Sequence, residues 1–135
     1  DTFLVMDEQS RVAYRDILNY IEFELAARLT ACAPLADIPP GRLPRQLKAF
    51  PLQPEAMLSA GVDASTWLLT VTAGDRPGLL YDIARLLGRH GVIVRSARIN
   101  TLGQRAEDVF VVAAGGLAQP DVRLAIEREL IATLA

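Results

Sequence analysis

Apolar positions fall along this chain in two rhythms. Ala56 to Ala60 and Thr66 to Ala73 read as strands around a break at Gly61–Ser65, with Trp67, Leu69, Val71 and Ala73 at every second place. That period of two is a strand with one buried face. Asp75-Arg76-Pro77-Gly78 interrupts it, and Pro77 suits a first helical turn because its φ is already helical and its missing N–H has no partner to lose. Leu79, Leu80, Ile83, Ala84 and Leu87 then recur at helical spacing, and Gly88 and Gly91 mark the helix end. Val92 to Leu102 and Ala106 to Ala113 read as strands joined at Gly103-Gln104. Gly115-Gly116 leads to a helix starting near Pro120, with Val122, Ala125, Ile126, Leu130 and Leu134 on its stripe.

The first part of the chain repeats a piece of this pattern. Asp1-Thr2-Phe3-Leu4-Val5 returns as Asp108-Val109-Phe110-Val111-Val112, and a helix-period segment follows each copy. After the first copy it covers about Gln9 to Leu29, where Val12, Ile17, Leu18, Ile21, Leu25 and Leu29 are spaced for one face and Glu24 and Arg28 stand a turn apart. Ala33 to Pro54 holds six of the eight prolines and reads as extended linker, its cations Arg42, Arg45 and Lys48 solvated. The expected organisation is a strand-helix remnant over 1–32, a linker over 33–54 and a complete unit over 55–135. With its opening DTFLVM run and no Met or leader ahead of it, the chain reads as a piece of a longer protein.

In the complete unit the order is strand-helix-strand-strand-helix with a leading strand, which predicts an α/β unit of the α+β kind, a ferredoxin-like βαββαβ sandwich. Helices cover one face of such a sheet, so the other should read polar if it met water. Val92, Val94 and Val109 to Val112 instead place apolar residues on both faces. A sibling module or a second copy is expected to cover the second face.

Composition narrows the chemistry. In 135 residues, 51% are hydrophobic, above the range of disordered chains, yet no apolar run reaches the roughly 20 residues that span a bilayer. Fourteen Lys and Arg stand against 16 Asp and Glu, which leaves no basic excess for nucleic acid. One Cys and one His predict no disulfide and no metal site. A cytoplasmic module without membrane partner is the expectation.

The segment from Trp67 to Val112 resembles the ACT family, small ligand-binding regulatory modules of amino-acid metabolism, through Asp75-Arg76-Pro77-Gly78-Leu79-Leu80, the reversal at Gly91 and the strand ending Asp108-Val109-Phe110-Val111-Val112. Ala97 to Phe110, with Arg45-Gln46-Leu47-Lys48-Ala49-Phe50 in the linker, is similar to the last of two tandem ACT modules in bifunctional protein-PII uridylyltransferase/uridylyl-removing enzymes. The resemblance implies a non-catalytic region, glutamine as allosteric ligand, and catalytic domains upstream that use magnesium and UTP on the PII protein. It also implies a ligand site at Asp75, Arg76, Pro77, Gly78, Leu79 and Leu80, with a second wall at Val92, Ile93 and Val94. Some amino-acid-binding ACT sites carry Asn at the place of Ile93, so a side-chain amide here must meet other groups.

Physical reasons support a ligand at that turn. A helix start presents unsatisfied N–H groups and the positive dipole end to a carboxylate. Asp75 offers an ammonium partner and Arg76 a carboxylate partner. Plainer roles stand beside these: Asp75 as a turn or cap residue, Arg76 in an ion pair, Asn100 serving hairpin backbone, and His90 easing a helix end. Glu107 and Asp108, adjacent in a strand, point to opposite faces and make a poor carboxylate dyad. Ser96 and Cys32 have no evident base. Competing functions are an ACT module sensing another amino acid for a different enzyme, a structural dimerisation module, and an RNA-binding sheet, the last weakened by Phe110 standing beside Glu107 and Asp108.

Overall fold

Leu69, Val71 and Ala73 are buried while Leu68, Thr70 and Thr72 between them are half-buried, so the alternation read from sequence is a strand with one covered face. The computed structural model describes residues 14–34 and 52–135, which belong to separate compact units. In the larger unit, β1 (Glu55–Ala60), β2 (Trp67–Gly74), β3 (Ile93–Arg98), β4 (Thr101–Leu102) and β5 (Arg105–Ala113) form one antiparallel sheet in the order β1-β2-β5-β3, with β4 beside β5. Helices α2 (Leu79–Arg89) and α3 (Pro120–Leu134) complete it, with a 3₁₀ turn at Gly115–Ala118. The ferredoxin-like sandwich is present, and its outer strand beside β2 comes from the leading segment.

The core lies between one sheet face and the two helices. Ile83, Leu86 and Leu87 of α2 and Ile126, Leu130 and Leu134 of α3 are buried with Leu69, Val71, Phe110 and Val112. The stripe on α2 is rotated from the expected one: Leu86 is inside, whereas Leu80 and Ala84 are exposed. On the far side of the sheet Leu68, Val109 and Val111 are half-buried and Met57 is exposed, so the second face carries the expected apolar positions. Glu127 of α3 reaches β1, its Oε1 accepting the Leu58 N–H at 2.6 Å. That contact covers part of an otherwise unpaired sheet edge.

The strand expected over Val92 to Leu102 is divided. Its register against β5 shifts between Val94 and Ser96, and Ile99-Asn100 leaves the ladder before β4. Asn100 spends its backbone locally: its carbonyl accepts the Glu107 N–H at 2.8 Å and its N–H donates to Asp108 at 3.3 Å.

In the other unit α1 (Tyr14–Thr30) carries the expected Glu24–Arg28 pair at 3.2 Å. The helix closes as Ala33 N–H donates to the Arg28 carbonyl, with Cys32 left-handed at φ 46°. The strand expected at 1–5, the helix residues 9–13 and most of the linker, including Arg42, Arg45 and Lys48, lie outside the described residues.

Candidate functional site

Strand β2 ends at Gly74, and the next N–H, from Asp75, donates to the Gln104 carbonyl at 2.8 Å. This bond ties the loop to the hairpin between β4 and β5. Gly78, at φ +84° and ψ 0°, turns the chain into α2, a left-handed conformation that side chains with a Cβ adopt at a cost. The Leu79 N–H donates to the Arg76 carbonyl and the Asp82 N–H to the Gly78 carbonyl. No side chain caps the helix start.

Arg76 lies under this turn with its side chain only 10% exposed. Its Nη2 donates to Asp82 Oδ2 at 2.6 Å, and its buried Nη1 has no partner. An unpaired buried donor on a charged group costs more than the roughly 1–3 kcal/mol of a neutral one. On β5 stands Asp108, 1% exposed. Burial raises its pKa above the ordinary carboxylate value, the Asn100 N–H opposes that shift, and the charge of Asp75 adds to it.

These groups border one hollow of about 370 Å³, inside the range of small-molecule sites. Asp75, Arg76, Gly78, Leu79 and Leu80 line it from the loop and α2, and Ile99, Thr101, Ala106 and Asp108 from the sheet. Pro77 is exposed and not part of the lining.

Val92, Ile93 and Val94 are not brought to this hollow within the unit. Along β5, Arg105 pairs with Gly74 at the loop end, whereas Val112, at the other end, lies between Trp67 and Val94. The helix returns the chain across the sheet before β3 begins. Val92 is in the core, Val94 is exposed, and Ile93 borders a separate hollow beside Trp67. Inside one module the second wall is therefore Ile99, Thr101 and Asp108.

Asp108 is the charged lining residue that the sequence did not assign to the site; Tyr81, Ile99, Thr101 and Ala106 also join the lining from outside the expected set. The alternation that separates Asp108 from Glu107 also sets it in the inward series Ala106-Asp108-Phe110-Val112, and a charge in such a series was the available signal. Glu107 pairs instead with Arg105 at 2.8 Å. His90 joins Glu129 of α3 at 2.6 Å, and Arg89 meets the same carboxylate at 3.1 Å. Among the described residues no three metal-ligating side chains cluster, and no helix is long and apolar enough to cross a membrane.

Residues 67–131 match the ACT domain family. Over all 135 residues the chain is 45% identical to a stretch of the bifunctional uridylyltransferase/uridylyl-removing enzyme of Burkholderia lata, and 46% identical to those of Burkholderia mallei and Burkholderia thailandensis. It spans 16% of the length of each. A solved structure of an unknown protein from Galdieria sulphuraria aligns with a TM-score of 0.45 and 18% identity, over 49% of this chain and 38% of that one.

Proposed function

With residues 67–131 an ACT domain, set in a chain matched along its whole length by bifunctional uridylyltransferase/uridylyl-removing enzymes, we propose that the chain is an amino-acid-sensing region with glutamine as its ligand. The ligand carboxylate meets Arg76 and the start of α2, and its ammonium meets Asp75. The observation that carries this reading is the buried guanidinium with a free Nη1, placed in a hollow that also holds carboxylates. An α-amino acid brings both complementary charges.

The output is control, in the cytoplasm, of uridylyl transfer to the PII protein and its removal, performed by upstream domains that use magnesium and UTP. Glutamine favours removal and opposes transfer. It does so only if it binds one arrangement of the modules more tightly than another, and a coupling of about 1–3 kcal/mol is typical of such control. Residues 1–32 are the tail of a preceding ACT repeat, and a second copy of the chain covers the apolar far face of the sheet. Ile93 and Val94 then serve as a ligand wall toward that copy, while Val92 stays behind them in the core. The apolar positions Leu68, Val109 and Val111 on that face are consistent with such a neighbour.

The test is calorimetric titration of the full-length protein with L-glutamine, serine, threonine and isoleucine, paired with assays of uridylyl transfer and removal on PII. Saturable binding of glutamine alone, with opposite effects on the two reactions, is the expected result. Binding of another amino acid moves the module to a different metabolic role. Silence across the panel leaves an assembly module as the better account.

A further inference from the structure

Two opposite charges border the hollow under α2 without meeting each other. Asp108 is the one buried charged residue among the described residues. Arg76 is paired with Asp82 instead. Among the described residues Asp108 makes no ion pair. Its hydrogen bond from the Asn100 N–H is long, at 3.3 Å, and a neutral Asn at this place would accept the same bond. Buried charges are ordinarily paired, because desolvation leaves an isolated one costly. A ligand carrying both signs would pair both groups at once.

We infer that Asp108 is a ligand-binding residue, holding the α-ammonium group of an amino acid against β5 while Arg76 takes the carboxylate. The inference rests on the sensor reading above and adds to it a residue and a specificity: the site selects a free α-amino group. Asp75, exposed at the mouth of the hollow, then assists Asp108 and is the lesser ammonium partner. Oxo acids, N-acylated amino acids and amine-free analogues leave the Asp108 carboxylate unpaired and bind weakly. The side chain beyond Cα plays no part in this contact, so the inference concerns the amino group and not glutamine as such.

The experiment compares L-glutamine with glutaramic acid, the same molecule without its amine, by calorimetry on the full-length protein and its Asp108→Asn variant. Unaltered protein is expected to bind glutamine at least about tenfold more tightly than glutaramic acid, the usual worth of a charged hydrogen bond. Asp108→Asn is expected to lose about tenfold for glutamine and little for glutaramic acid, with an unchanged far-ultraviolet spectrum. Equal binding of the two compounds by the unaltered protein overturns the contact, and this arm does not depend on the variant folding. An equal loss of both ligands in the variant also overturns it, marking Asp108 as structural while the sensor reading stands. If the unaltered protein binds no amino acid, the sensor reading fails and takes the contact with it.

Discussion

Asp82 holds Arg76 by one nitrogen and leaves the other free: Nη2 meets Oδ2 at 2.6 Å while Nη1 stays buried and unpartnered. Asp82 stands in the first turn of α2, where the helix dipole favours a carboxylate, so the pair joins the loop to the helix it starts. Asp82→Asn keeps the shape and removes the charge that orients the guanidinium. Glutamine affinity is expected to fall about three- to tenfold in that variant, and by more than about thirtyfold in Arg76→Ala, which removes the carboxylate partner itself. Calorimetry on both variants checks the order. A larger loss for Asp82→Asn than for Arg76→Ala would reverse the assigned roles.

Gly78→Val tests the placement of the site. A Cβ at Gly78 has open space around it, nothing lying within 4 Å, so the whole cost is in the backbone at φ +84°. That cost is about 1–3 kcal/mol, less than the roughly 5–15 kcal/mol that holds a typical domain together. The variant is expected to melt at a lower temperature, remain folded under ambient conditions and lose glutamine binding. Undiminished affinity would move the ligand away from this turn.

Binding should also depend on pH through Asp108. Its pKa is raised, chiefly by burial, with the charge of Asp75 adding to the shift. Arg76 and Tyr81 also line the hollow. An ammonium ligand needs the ionised carboxylate, so glutamine affinity is expected to fall as the pH drops through the raised value. The effect on stability has the opposite sign. A folded state that holds this proton more tightly than the unfolded one gains stability at low pH and loses it as pH rises through the folded pKa. Titrations and melting curves over acidic to neutral pH measure both slopes, and Asp108→Asn is expected to flatten both.

Gly61→Ala strikes the fold at a distance from the ligand. An added Cβ there would come within 2.5 Å of Thr66 Oγ1 and 2.6 Å of the Thr66 carbonyl oxygen. The same carbonyl accepts the Gly61 N–H at 2.9 Å, so the β1–β2 connection must open to make room. A loss of about 1–3 kcal/mol is expected, as for other overpacked sites. Chemical denaturation reads it, and the glutamine affinity of the folded fraction should not change.

The sequence by itself determined the order of the elements in residues 55–135 and all of them but the division of β3 from β4. Period-two runs over β2 and β5, helical spacing over α2 and α3, Pro120 at a helix start and the loop at Asp75–Gly78 are local properties, written in residues close to one another along the chain. It also indicated half of the candidate site, since Asp75, Arg76, Gly78, Leu79 and Leu80 adjoin one helix start. Only the tertiary structure decided what faces that start. The β2–β5 register pairs Asp108 with Val71 and so sets it on the inward face, in the lining of the hollow that Arg76 also borders; the divided strand brings Ile99 and Thr101 into that lining, and the return of α2 carries Val92, Ile93 and Val94 to the other end of the sheet. Register and strand order join residues some thirty positions apart, and no spacing along the chain encodes which end of a sheet a residue reaches. A carboxylate such as Asp108 therefore reads in sequence as one polar place in an apolar strand, and becomes part of a site only when the fold brings it to the hollow that Arg76 also lines.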